Sequence, residues 1–342
     1  MNRFAVFPVV LAVFSTLLPR PAEGAALAAL ANVSSNGDKQ AAQVTIGSGA
    51  VAVISGSTPL AGASSTTQNT AYDSAGNRLF TYDAIGNRLY TINMATGAAT
   101  NATLGGASIA GVTDLEYDGG EGVLYAIVNV GSVPNVDRQL ATIGIATGTV
   151  ALLGSPIAGA QLNTFSQPFD LDAANDRYYF VGTPAAGDTL YAINTTNGAV
   201  AASALVTGPA NLTSLMGLEF DPGEPAMYAL AGVTAVVGSD RQLATVNITP
   251  GPGFGTVTLL GSPIAGEGLG TNGNEALDPA GNRYYFTGSP LSGNATLYAI
   301  DTTNGAVADS DLLTFGVGIN DVRGLEFDID TLPVELLEVA VD

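Results

Sequence analysis

The sequence predicts an all-β fold closed into a ring, and three observations carry that prediction. A hairpin reading Leu-Tyr-Ala-Ile-Asn-Thr-Thr-Asn-Gly-Ala-Val at 190–200 returns almost letter for letter at 297–307, with looser copies at 43–53, 89–99, 140–151 and 243–258. Between the copies, apolar alternation broken by Gly, Pro, Asn and Asp marks short antiparallel strands, while helix-forming runs are nearly absent beyond residue 25. The chain also begins and ends on half-units that complete one another: 39–55 matches only the third and fourth strands of a unit, and 321–328 only a first strand. Six such units of four strands, closed by terminal strands that share a blade, describe a six-bladed β-propeller with four-stranded antiparallel blades. Closure removes the sheet edges that an open array leaves exposed. A β-sandwich or an open β-solenoid is the alternative, and a solenoid would want capping segments instead.

Taken in order, residues 1–25 read as a signal peptide: Asn2 and Arg3 give a polar start, Phe4 to Leu18 an apolar run, and Pro19 to Ala25 a small-residue region. The run falls short of the roughly 20 residues that span a bilayer, so no transmembrane segment is expected once the signal is removed. The chain is expected to be secreted, periplasmic or at the cell surface. Residues 26–38 read as a linker, 39–330 as the propeller, and 331–342 as either a tail or the second strand that the closing blade lacks. In the unit beginning at Leu218, a first strand meets the Pro222-Gly223 turn, a second strand covers 227–230, and a loop runs to Arg241. The third and fourth strands follow at 243–248 and 257–260.

A longer period lies above the blade. Asp-Arg-Gln-Leu-Ala-Thr at 137–142 recurs at 240–245, Leu-Leu-Gly-Ser-Pro-Ile at 152–157 recurs at 259–264, and Arg-Tyr-Tyr-Phe at 177–180 recurs at 283–286. Two blade types therefore alternate, and the ring is expected to have pseudo-threefold symmetry built from a two-blade repeat.

Composition removes several function classes. The 342 residues are 46% hydrophobic and 12% charged with 43 Gly, the mark of folded β-rich material rather than disorder. Ten basic against 30 acidic residues give a net charge of −20, which cannot neutralise phosphates, so nucleic acid is excluded as a partner. With no His and no Cys, imidazole bases, His-ligated zinc, Ser-His-Asp and Cys-His machinery are excluded, and no disulfide can staple the fold. No phosphate-cradling Gly-rich loop ending in Lys-Ser/Thr occurs, and the absence of Trp weakens carbohydrate stacking. The Asn-X-Ser/Thr matches at Asn32, Asn101, Asn194, Asn211, Asn247 and Asn294 read as turn chemistry of a bacterial chain rather than glycan sites.

The runs Asp-Pro-Ala-Gly-Asn-Arg-Tyr-Tyr at 278–285 and Leu-Tyr-Ala-Ile-Asp-Thr-Thr-Asn-Gly-Ala-Val at 297–307 resemble the repeats of exported bacterial β-propellers, including uncharacterised families with blades of this pattern. The resemblance covers 39–328. It implies a fold and leaves activity open, since such propellers include binding scaffolds, lyases and hydrolases.

Three polar sets remain as candidates. Glu116, Asp170, Glu219 and Glu326 each stand two places before a turn Asp in a first strand, with Ala71 and Ala276 at the other two places. First strands surround a propeller axis, so these acids are the candidate metal set, for which calcium is the cation expected; otherwise no cofactor is foreseen. The turn residues Asp73, Asp118, Asp172, Asp221, Asp278 and Asp328 are read as structural acceptors of turn amides. The third set falls on the face shared by the second-to-third-strand loops and the blade connections: Asp137, Arg138, Asn163, Gln167, Asp240, Arg241, Asn274, Asn320, Asp321 and Arg323, with Thr164, Asn211, Ser214 and Asn272 on the same face. Rigid blades presenting variable loops favour ligand contact there. The first reading is a monomeric, non-catalytic binding scaffold for a protein, glycan or envelope component. The second is an acid-based hydrolase or lyase, calcium-dependent or not, centred near the axial channel.

Overall fold

The computed structural model describes residues 25–33, 38–60, 70–131, 137–160, 169–184, 186–224, 226–234, 239–264, 267–269, 275–290, 295–316 and 318–327. They form six sheets arranged as the blades of a propeller. From the axis outward, the first blade is Asp321–Phe327, Ala26–Asn32, Lys39–Thr45 and Ala50–Val53. The second is Thr70–Asp73, Arg78–Asp83, Arg88–Asn93 and Ala99–Thr103, and the third Gly111–Asp118, Val123–Val130, Asp137–Ile143 and Thr149–Ile157. The fourth is Phe169–Asp172, Arg177–Gly182, Thr189–Asn194 and Val200–Leu205, and the fifth Leu212–Asp221, Ala226–Thr234, Ser239–Val246 and Val257–Leu259. In the sixth, Arg283–Pro290, Thr296–Asp301 and Val307–Leu312 follow an inner edge shared by Glu267–Leu269 and Glu275–Asp278. Short parallel additions, Gly105–Gly106 on the third blade and Thr314–Phe315 on the first, extend two outer edges.

The inner strands stand side by side from Asp321–Phe327 through Thr70–Asp73, Gly111–Asp118, Phe169–Asp172, Leu212–Asp221 and Glu275–Asp278 back to Asp321–Phe327, so the ring is closed. The terminal strands share the first blade as expected, but the residues that join them correct the sequence reading. Ala26–Asn32, within the stretch read as a linker, is the second strand of that blade, pairing Leu27 with Val44 on one side and with Phe327 on the other. It also fills the vacancy suggested for 331–342, which lie outside the described residues, as do 1–24. The reason is two-sided burial: Leu27, Ala29 and Ala31 pack towards the sixth blade while Ala28 and Leu30 pack towards the second. A run of Ala and Leu with no turn signals reads as a linker, yet it supplies the small side chains that tight sheet-on-sheet packing uses.

The core is divided into six layers, one between each pair of neighbouring blades. Period-2 alternation places both kinds of side chain usefully. In Arg177–Gly182, Tyr178 and Phe180 face the third blade while Tyr179 and Val181 face the fifth. Strands buried on both faces read as nearly continuous apolar runs, and burying each large side chain contributes about 1.5–3 kcal/mol. Backbones meet closely at the periphery. Gly198, at φ 69° in the Thr-Thr-Asn-Gly turn, lies against Leu153 and Gly154 of the preceding blade, where any side chain would collide with the main chain.

Candidate functional site

The turn aspartates are structural. Asp73, Asp118, Asp172, Asp221 and Asp278 are buried and accept amides from Gly76 at 2.9 Å, Gly120 at 2.8 Å, Asn175 at 3.1 Å, Gly223 at 2.8 Å and Gly281 at 2.8 Å. Asp328 lies outside the described residues.

By fixing where each inner strand ends, these turns bring the next acids to the axis. Glu116, Asp170, Glu219 and Glu326 gather there, joined by two carboxyls that sequence reasoning missed, Asp114 and Glu275. Burial pushes every one of the six up: Asp170, Glu275 and Glu326 to about 7, and Asp114, Glu116 and Glu219 well above the usual carboxylate range. Repulsion from neighbouring acids adds to this at Asp114, Glu116, Asp170 and Glu219, with Glu116 and Glu219 each feeling four of the others. Glu116, Asp170, Glu219 and Glu326 retain partial exposure although protein surrounds them deeply.

Most of these acids have internal work. Asp114 accepts the Tyr178 hydroxyl at 2.5 Å, and Glu326 accepts the Thr70 hydroxyl at 2.8 Å. Asp170 accepts the amide of Leu171 at 2.6 Å and that of Phe220. Glu275 has Arg241 as its counter-charge, yet its Oε1 is buried without a hydrogen-bond partner. Among the described residues, no group of three or more Asp or Glu is arranged to hold a metal ion, so the geometry lends no support to the calcium expectation.

The other candidate set sits at the opposite ends of the inner strands. Asp321 accepts the amide of Val322 and the Arg323 Nε, each at 2.9 Å, and Asn320 beside it is exposed. Asp137 accepts the Gly159 amide at 3.0 Å. Asp137, Arg138, Asp240 and Arg241 correct the expectation that they stand on the second-to-third-strand loop. They belong to third strands, with Arg138 only 2% exposed and Asp240 buried, because side chains there pack between blades. Arg138 keeps Nε and Nη1 unpartnered. Asn163, Gln167 and Asn274 lie outside the described residues.

On the same face, between the fourth and fifth blades, a cleft of about 190 Å³ is lined by Val181, Asp188, Val206, Leu212, Thr213 and Ser214. Of these the sequence singled out Ser214 alone. Asp188 and Val206 come from different turns of the fourth blade, and only the ring brings them beside Leu212–Asp221.

No family model and no curated protein sequence matches this chain. Solved structures do. TolB from Acinetobacter baumannii superposes with a TM-score of 0.55 at 12% identity, covering 92% of this chain and 68% of that one. A chain of the nidogen/laminin complex superposes at 0.59 with 12% identity, covering 90% of this chain and 99% of its own. The likeness is one of fold. At such identity it extends to the propeller architecture and not to ligands or chemistry.

Proposed function

We propose that this chain is an exported, non-catalytic binding propeller that presents its loop-rich face to a protein, glycan or envelope component. The observation that carries the reading is the cleft between the fourth and fifth blades. It brings Thr213, Ser214 and Asp188, whose carboxylate is held by the Thr183 hydroxyl at 2.8 Å, together with apolar Val181, Val206, Leu212 and Leu215. A few polar groups that orient a ligand above an apolar floor are the usual chemistry of recognition. The propeller neighbour in the nidogen/laminin complex, a protein–protein assembly, is compatible with a protein partner.

The second reading, an acid-based hydrolase or lyase at the axis, is favoured by carboxyls raised to about 7, where a general acid is most effective. Against it, Asp114, Asp170 and Glu326 already hold internal donors. The two readings separate in one set of assays. Saturable binding to glycan arrays or isolated envelopes that falls at least about tenfold in Asp188→Asn or Thr213→Lys, a loss of about 1.4 kcal/mol, supports the scaffold. Turnover of polysaccharide or ester substrates that disappears in Glu219→Gln supports the enzyme and overturns the scaffold.

A further inference from the structure

Lys39, Arg138 and Arg241 open the third strands of the first, third and fifth blades, and each stands opposite a different residue of the neighbouring second strand. Lys39 is paired with Asn32, Arg138 with Asn129 and Arg241 with Gly232. In the first blade the Asn32 carboxamide links the cation to the inner strand: its Oδ1 accepts from the Lys39 ammonium and its Nδ2 donates to Asp321 at 3.4 Å. In the third blade the Asn129 Oδ1 accepts the hydroxyl of Thr113, again from the inner strand, at 3.4 Å. The fifth blade keeps the cation and the inner-strand polar groups but has no carboxamide between them. Ser214 Oγ, Thr213 Oγ1 and Arg241 Nη1 instead gather around the point where a Gly232 side chain would begin, the last two at 2.9 and 3.3 Å from it. The guanidinium there is poorly satisfied: Nη1 has a 3.4 Å bond to the carbonyl of its own neighbour Asp240, and Nε is buried without a partner. Gly232 is buried and Arg241 half-buried, but Thr213 is exposed, so the group opens on the loop-rich face, where Thr213 and Ser214 also line the cleft.

We propose that Thr213, Ser214 and Arg241 form a subsite for a carboxamide supplied from outside, the side chain of an Asn or Gln on a protein partner. This rests on the reading of the loop-rich face as a binding surface and names the group recognised there. A carboxamide carries an acceptor oxygen and two N–H donors. Its oxygen takes a guanidinium donor of Arg241 and its nitrogen donates to the hydroxyl oxygens, as Asn32 does between a cation and an inner-strand oxygen. A carboxylate is a poorer match, because Arg241 already has Glu275 and Asp240 as counter-charges and the chain carries a net charge of −20. The repeat itself points to the occupant, since the two equivalent blades hold a primary carboxamide at this place.

The test is saturation-transfer NMR and thermal unfolding of the full chain titrated with propionamide and L-glutamine. Butanone, which replaces the amide nitrogen by a methyl group, L-glutamate and N-acetylglucosamine are separate arms. The expected result is saturable binding of both amides, with butanone and glutamate weaker by about fivefold or more, the effect of losing one neutral hydrogen bond. Thr213→Val, and Gly232→Asn, which supplies the carboxamide from within, should each weaken glutamine binding by a similar factor. Asp309→Asn, on the exposed outer strand of the sixth blade, should leave it unchanged. The proposal is overturned if glutamate or butanone binds as well as its amide counterpart, if both variants bind as the wild type does, or if N-acetylglucosamine binds in place of glutamine, which would make this an amino-sugar site. Thr213 is exposed, so Thr213→Val keeps the test decisive should Gly232→Asn fail to fold. Envelope or glycan binding that is lost in Asp188→Asn, with no glutamine binding, overturns the carboxamide subsite alone, whereas no binding of either kind overturns the scaffold reading with it.

Discussion

Where the third blade meets the fourth, and where the fifth meets the sixth, one repeat places its carboxyl in opposite ways. In the first junction Asp114 projects from the inner strand of the third blade and takes the Tyr178 hydroxyl at 2.5 Å. In the second, the equivalent position is Gly217 at φ 51°, and the Tyr284 hydroxyl donates to its carbonyl at 2.6 Å. The space that a side chain would fill at Gly217 is taken by Glu275, reaching across from the sixth blade. Phe169 stands at the matching place in the fourth blade, stacked on Phe180. Each junction thus buries one carboxyl beside one phenol, but on different strands. Symmetry of the backbone does not require symmetry of charge.

The cations follow the same division. Arg241 has Glu275 across the blade interface, whereas the charge that acts most on Arg138 among the described residues is its chain neighbour Asp137, and burial lowers Arg138 to about 10. Lys39 is the third member, in an Asp-Lys-Gln run of the first blade that matches the Asp-Arg-Gln runs. It is lowered to about 8 chiefly by burial, and its ammonium donates to Asn32 Oδ1.

The most disruptive way to break the comparison is Gly217→Ala. A Cβ there would collide with Glu275 Cγ and lie 2.5 Å from Tyr284 Oη, at a φ that L side chains rarely adopt. Overpacking and a left-handed backbone together predict a loss of about 2–4 kcal/mol in urea unfolding. A loss below about 1 kcal/mol would mean that Glu275 does not occupy this space.

Phenol removal sharpens the contrast. Tyr178→Phe removes the side-chain donor of buried Asp114, leaving it the Leu115 amide, and should cost about 1–3 kcal/mol, while Tyr284→Phe removes the bond to the Gly217 carbonyl and should cost about 0.5–1.5 kcal/mol. Equal losses, read from the same unfolding curves, would contradict the different roles of the two tyrosines. The arginines give the next smaller difference. Arg138→Met removes a buried cation whose Nε and Nη1 are unpartnered and should be nearly neutral, whereas Arg241→Met isolates Glu275 and should be the less stable of the two by about 1 kcal/mol or more. A reversed order would show that Arg138 has the stronger partner.

These features differ in how far the sequence reveals them. The blades are written in it, because the turn Asp and the apolar alternation recur around the ring and four blades share an Asn-Gly or Thr-Gly hairpin. The four acids two places before those turns were legible for the same reason. Asp114 and Glu275 were not, since they stand four and three places before the turn Asp in single blades, outside the repeating pattern. A blade-by-blade alignment setting Asp114 against Gly217 and Gly324 carries the only signal, and its meaning depends on which neighbour fills the gap. At Gly324 that neighbour is Thr70, whose Oγ1 would lie 2.7 Å from an added Cβ. Ala26–Asn32 reads as a linker because its short run of Ala and Leu carries no turn Asp or hairpin repeat, and only the strands on either side of it reveal it as one. The cleft was invisible for a different reason: its walls come from separate turns that only the ring brings together.

The pH dependence of stability completes the series. Asp170, Glu275 and Glu326 sit at about 7 when folded, against about 4 in an unfolded chain. Between those values the folded state holds more protons, so their stabilising contribution is full below about pH 4 and is lost as pH rises through about 7. Lys39 works in the opposite direction, but between about 8 and its ordinary value of 10.5, so the interval from pH 5 to pH 8 isolates the carboxyls. Tm should therefore fall from pH 5 to pH 8 by at least about 2–4 °C, the shift that about 1 kcal/mol produces in a domain of this size or a little smaller. Glu275→Gln and Asp114→Asn should each flatten the slope, since either removes one titrating group from its junction while keeping an oxygen acceptor. A Tm that is level or rising across this interval would mean that the axial acids are already ionised and compensated, and both junctions would then hold partners other than the ones described.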